Sequence, residues 1–225
     1  MNATKIISRE QVGLIESSIQ EAETKTGAEI VCAVATESGR YDRAESIFGG
    51  IGALLGLAGG HLIAQSLDTE GQWSSPPVFS LLMQSALVTG GFVLGTILAS
   101  FSKPLRALVV SRSEVNEEVT RSAQIVLSNA ILSSPRSAGS VLLYISLAER
   151  RASILCDRLA IEALEQQVLD EICVIVISHI KQKDISRGLI TGVEQLAKHL
   201  AEKIPPGETN LNELENHVLL IHPRA

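Results

Sequence analysis

Two long stretches dominate the alternation of apolar and polar positions. Ile47 to Ala64 and Val78 to Phe101 each run without a Lys, Arg, Asp or Glu. As helices rising about 1.5 Å per residue they would reach about 27 and 36 Å, long enough to cross the hydrocarbon of a bilayer. Gln65 to Pro77 between them holds Asp68, Glu70, Trp73 and the pair Pro76-Pro77, a composition that breaks helices and suits water. The pattern predicts a transmembrane hairpin. Small residues recur every fourth position, Gly52, Gly56 and Gly60 in the first span and Gly91, Gly95 and Ala99 in the second. Each helix therefore offers a groove for close packing against the other or against a second copy.

The remaining sequence changes period and reads as a water-soluble domain split by the hairpin. Ser8 to Gln11 has the capping-box pattern, with Ile7 and Val12 placed as a hydrophobic staple, and Val12, Ile15, Ile19 and Ala22 share one helix face up to Gly27. Ala28 to Ala35 is a nearly unbroken apolar run with Glu29 at its start, the mark of a strand buried on both faces. Beyond the hairpin, Ser111 to Glu114 opens a helix through Ala130 that stops before Pro135. Val141 to Leu147 and Ala152 to Cys156 form a β-hairpin candidate with the charged tip Ala148-Glu149-Arg150-Arg151. Val168, Ile172, Val176 and Ile180 mark another helix. Asp184 caps a last one, striped by Leu189, Val193, Leu196 and Leu200 and ended by Pro205-Pro206. His217 to Ile221 is a candidate edge strand. The expected fold is α/β, a small mixed sheet flanked by helices and interrupted by an inserted two-helix transmembrane hairpin. Residues 1–45 and 103–206 are its two parts, 46–102 the hairpin with spans 47–64 and 78–101, and 207–225 a C-terminal tail.

Charge then orients the hairpin. Arg40 and Arg43 precede the first span, Lys103, Arg106 and Arg112 follow the second, and the connecting loop has no basic residue. The positive-inside rule puts both termini in the cytoplasm, as a two-pass protein. With 19 Lys+Arg against 25 Asp+Glu the net charge is −6, and aromatics are 3% of the chain, so nucleic-acid binding lacks both its electrostatic and its stacking footprint. Cys32, Cys156 and Cys173 lie in separate apolar runs with no C-x-x-C, which reads as inert thiols in a reducing compartment.

No dinucleotide fingerprint, phosphate loop, zinc-protease helix or nucleophile elbow is present. The remaining chemistry is a set of acidic residues at strand ends: Glu29 entering the first strand, Glu149 at the hairpin tip and Asp157 leaving the next strand. Carboxylates gathered at one sheet edge can hold Ca²⁺ or Mg²⁺ and position water on a phosphate ester. Charged residues at turns and strand ends are equally what solvent demands, and Asp157-Arg158 reads equally as a surface ion pair.

Several segments carry a family resemblance: Ile7-Ser8, Glu21-Ala22-Glu23, Thr26-Gly27-Ala28-Glu29-Ile30, Val141 to Arg151 with its Ser146-Leu147-Ala148-Glu149-Arg150-Arg151 stretch, Asp157-Arg158, Gly188-Leu189, Leu196 to Leu200 and Asn212-Glu213-Leu214. In these the chain resembles the TPM domain family, in particular its bacterial membrane-protein branch, related to photosystem II repair proteins and an acetylcholine-receptor modulator. The resemblance implies an α/β/α domain, with acid phosphatase activity and Ca²⁺ binding in some members. Where the family usually has Gly-Ile after the Asp-Arg pair, this chain has Leu159-Ala160-Ile161, and the Trp usual near Glu165 is absent. Two functions are thereby expected. The first is a non-enzymatic module in the bacterial inner membrane that binds a membrane-protein partner, or itself, in assembly or quality control of membrane complexes and requires no cofactor. The second is a metal-assisted phosphatase using Glu29, Glu149 and Asp157, with Arg150 steadying the phosphate.

Overall fold

The computed structural model describes residues 2–39, 42–67, 80–102, 105, 108–133, 139–206 and 218–224. Arg40, Lys103, Arg106 and most of the connecting loop and C-terminal tail lie outside the described residues. The chain divides into two compact units, Met1–Gly39 with Val115–Ala225, and Arg40–Glu114.

The first unit is built on strand β1 (Ile30–Glu37). It pairs in parallel with β2 (Val141–Ser146) on one side and with β4 (Val218–Arg224) on the other. β3 (Arg151–Cys156) runs antiparallel to β2, giving a mixed sheet in the order β3-β2-β1-β4. Because side chains alternate across a strand, β1 feeds two cores. Ile30, Cys32 and Val34 enter one, filled from the helices α2 (Arg9–Glu23), α7 (Gln166–Lys181) and α8 (Ile185–Lys203). Val31, Ala33 and Ala35 enter the other, closed by α5 (Arg112–Ser133) through Val119, Ala123, Val126 and Leu127. A short α1 (Ala3–Ile6) precedes α2, and α6 (Arg158–Ala163) joins β3 to α7.

Local signals account for most element ends. Ser8 caps α2 in a reciprocal capping box with Gln11, and Ser111 Oγ accepts the Glu114 N–H at the start of α5. Three details differ from the sequence pattern. α2 stops at Glu23 rather than Gly27, because Thr26 Oγ1 and the Gly27 N–H both bind the Ile204 carbonyl and tie this segment to the end of α8. β1 accordingly begins two residues late, its Ile30 N–H donating to the Glu23 carboxylate at 3.0 Å. Asp157 and Arg158 do not pair with each other. Asp157 caps the short α6, and Arg158 lies 3.7 Å from Glu162 one turn on.

The second unit contains α3 (Asp42–Leu67) and α4 (Leu81–Phe101), two helices long and apolar enough to cross a membrane. They pack on one another through glycine. A Cβ on Gly52 would fall on the Gly91 carbonyl oxygen, one on Gly95 on the Phe48 carbonyl oxygen, and one on Gly56 would lie 2.6 Å from the Leu87 carbonyl oxygen. These backbones are too close for any side chain. Gly60 faces only the flexible Leu87 side chain, whereas Gly50 and Gly59 have nothing within 4 Å.

Overpacking a tight contact costs about 1–3 kcal/mol. Gly52→Ala and Gly95→Ala are therefore expected to lower the thermal stability of the detergent-solubilised protein, and Gly50→Ala and Gly59→Ala to leave it unchanged or slightly raised. Melting curves of the four variants check this.

Candidate functional site

Sheet direction decides which of the predicted site residues can meet. Glu29 is buried beside the start of β2, its carbonyl accepting the Val141 N–H at 2.8 Å. Asp157 leaves β3 at the same end of the sheet, where its own N–H donates to the Ser140 carbonyl. Glu149 follows the far end of β2. The strands between are six residues long, which at about 3.3 Å per residue separates the two ends by about 20 Å. The three carboxylates therefore do not converge, and among the described residues no three His, Cys, Asp or Glu form a metal-binding group. The convergence expected from strand-end acids fails because β1 and β2 run parallel, so that Glu29, entering β1, and Glu149, following β2, stand at opposite ends, while antiparallel β3 returns Asp157 to the Glu29 end.

Asp157 holds that corner with both carboxylate oxygens. Oδ1 accepts the Ala160 N–H at 2.9 Å, capping α6, and Oδ2 accepts the Gly139 N–H at 2.7 Å. Gly139 has φ +87°, a left-handed conformation that glycine adopts without a steric penalty. Its amide is thereby turned toward Asp157.

Glu149 organises the opposite end, the carboxyl edge of the parallel strands, where open α/β sheets usually place their ligands. Its carboxylate accepts the backbone N–H groups of Ser38 at 3.3 Å and Gly39 at 3.4 Å, and a short hydrogen bond from Ser146 Oγ. Ser38 is held by its other polar groups as well. Its carbonyl accepts Ser122 Oγ from α5 at 3.1 Å, and its hydroxyl meets the Tyr144 hydroxyl at 2.8 Å. Tyr144 and Ser146 are fully buried and Ser38 is 5% exposed. Burial raises the Tyr144 phenol above its usual range, reinforced by the nearby Glu149 and opposed by hydrogen bonds with Ser38 and Ser122. The hydroxyls of this cluster are buried, while Glu149 itself is partly exposed. Its chemistry is anchorage: it fixes the last residues of the α/β unit before the chain enters α3. The strand pattern did not single out Ser38, Ser122, Tyr144 or Ser146. A tyrosine inside the aliphatic run Val141-Leu142-Leu143 was the available signal, because a buried phenol needs a partner.

Several other groups on this edge are also paired. Thr36 Oγ1 accepts the Ala3 N–H and contacts His222 Nδ1 at 3.0 Å, and Arg224 lies 4.0 Å from Glu37. Arg150, at the hairpin tip with φ +53°, is exposed and has no ion-pair partner among the described residues. Burial pushes the thiols of Cys32 and Cys156 up to about 12 and that of Cys173 to about 11, so all three stay protonated and weakly nucleophilic at neutral pH.

Glu149→Gln keeps the shape but loses the charge-assisted bonds, each worth about 1.5–3 kcal/mol. Hydrogen exchange at the Ser38 and Gly39 amides is expected to accelerate while the core amides of β1 stay protected, which exchange mass spectrometry reads directly. Since the carboxylates are separated and Asp157 is committed to backbone amides, thermal scans in Ca²⁺, Mg²⁺ and chelator are expected to superimpose. A metal-dependent rise in melting temperature that Asp157→Asn removes would reinstate a metal site.

No family model and no curated protein sequence matches the chain. Among solved structures it is similar to the NMR structure of the BA42 protein from the psychrophilic bacterium Bizionia argentinensis, at 14% identity over 97% of this chain and 95% of that one, with a TM-score of 0.55. At this identity the likeness concerns the fold alone.

Proposed function

We propose that the chain is a two-pass membrane protein of the TPM family, and that its α/β unit is a non-enzymatic module on the cytoplasmic side of a bacterial inner membrane. There it binds a protein partner during assembly or quality control of membrane complexes. The observation that carries the membrane half is the exposure of the two apolar helices. Only 6% of each apolar stretch is buried, with Leu54 71% exposed and Leu81 and Leu82 each 81% exposed. A core helix of a soluble protein would bury such residues, so these faces suit lipid. The absence of basic residues from 65–77 and their presence at Arg40, Arg43, Lys103, Arg106 and Arg112 support cytoplasmic termini.

The binding half rests on how the fold uses its polar residues. Of the carboxylates named for the phosphatase reading, Glu149 and Asp157 tie backbone segments together, and the hydroxyls around Glu149 are buried. Recognition of a partner by the surface of the unit requires neither.

Topology is tested by labelling. A cysteine replacing Ser74 is expected to react with an impermeant maleimide on intact cells, and one replacing Glu202 only after permeabilisation. The opposite result inverts the orientation. The native thiols, held protonated, contribute little background. For the binding half, photo-crosslinking residues at the exposed positions Leu14, Ile125 and Val174 sample α2, α5 and α7 in growing cells. A discrete adduct from at least one is expected. Its absence from all three removes the binding module.

A further inference from the structure

β3 is the outermost strand of the sheet on its side. In its antiparallel ladder with β2 the Asp157 N–H points inward to Ser140, so by alternation the backbone groups of Ala152, Ile154 and Cys156 point outward, the Ile154 N–H toward the Cys173 thiol of α7 and those of Ala152 and Cys156 into the open. The other edge, β4, carries Pro223, which has no N–H to offer. β3 thus has the outward donors and acceptors of a pairing template, and no proline interrupts it.

This edge lies in a groove of about 440 Å³ between two helices. Val119 and Thr120 of α5 form one wall and Val174 and Ile177 of α7 the other, while Ala152 and Ile154 form the floor. Val174 is 66% exposed, an apolar side chain left in water on the rim. Arg151 also lines the groove, next to Arg150, and neither arginine has an ion-pair partner among the described residues. Asp170 on the α7 wall is the opposite pole, its carboxylate held by Gln166 at 2.9 Å.

We propose that this groove receives an extended segment of the partner protein, which adds to the sheet beside β3 and places an acidic side chain on Arg151. The inference rests on the reading of the α/β unit as a binding module and names its surface. Backbone pairing with Ala152 and Cys156 supplies affinity, and alternate side chains of the segment settle against Val119 and Val174. Charge selects the segment. A carboxylate at one end meets Arg151 and Arg150, whereas a phosphate backbone or an anionic lipid surface would also press against Asp170 and Glu171. The recess selects an extended strand.

The test uses the full chain in lipid nanodiscs and a phage library of nine-residue peptides. Enriched peptides are expected to alternate apolar residues and to carry Asp or Glu near one end, and binding to protect the Ala152 and Cys156 amides from hydrogen exchange. Ala152→Pro removes an outward N–H without touching the ladder to β2, and is expected to weaken binding at least ten-fold. Arg151→Glu, an exchange at the groove surface that the core does not feel, is expected to weaken acidic peptides at least ten-fold and to favour basic ones. Lys198→Glu on α8 serves as a control and leaves binding unchanged. Peptides that bind equally well to Ala152→Pro and Arg151→Glu would overturn the groove while leaving the module reading intact. Failure to enrich any peptide also overturns it, and the crosslinks from Leu14, Ile125 and Val174 then decide the module reading separately.

Discussion

The fold of the α/β unit depends on β1 having no wet face. Its odd and even positions enter different cores, and it is hydrogen-bonded on both edges, so neither a side chain nor a backbone group of its central residues can turn to solvent. Helices must cover both faces, and they differ in what they meet. Ile30 and Val34 extend into a broad core shared by three helices, while Val31, Ala33 and Ala35 face the single helix α5. A strand so enclosed also creates a difficulty where it ends. Backbone groups leaving the ladder need new partners. Glu149 takes the N–H of Ser38 and Ser122 takes its carbonyl, and the chain departs for the hairpin from a fixed point.

The hairpin follows a different physics. Burying apolar side chains away from water organises the first unit, whereas on the proposed membrane reading the two helices gain nothing from that and associate by fit. Gly52, Gly91 and Gly95 let carbonyl oxygens of one helix approach the Cα atoms of the other, which any Cβ would prevent. Leucines, which would fill a soluble core, are turned outward in both helices. One composition therefore appears twice with opposite placement: Leu143 and Leu196 are fully buried in the sheet-helix core, and Leu54 and Leu82 are exposed on the hairpin.

Periodicity made the architecture legible because each strong signal had a local cause. A capping box at Ser8 and Gln11, an apolar run in β1 without alternation, and a helix stripe ending at a double proline do not require knowledge of distant residues. The short α6 was missed because its capping residue, Asp157, carries the same formula as a ligand or a surface ion. Its role is set by Gly139 and Ala160, one of them 18 residues away. The candidate site was illegible for the same reason at larger scale. Strand-end acids become a site only if they stand at the same end of the sheet, and that depends on β1 pairing in parallel with β2, a property of pairing rather than of any one segment.

The engagement of these carboxylates bears on what the unit can do. A cation at Glu149 would have to compete with the Ser38 and Gly39 amides and the Ser146 hydroxyl. One at Asp157 would have to displace the cap of α6. In either case binding would dismantle part of the structure that presents the ligands, at a cost of about 1–3 kcal/mol for each buried polar group left unsatisfied. The fold also offers polar capacity in a backbone edge, the outward groups of β3, with two arginines at its end. Backbone recognition tolerates many sequences, while a charge at one end fixes register and direction. For a module that must take hold of a partner chain, such a combination demands little of any one side chain, which is consistent with a sequence that carries no catalytic signature.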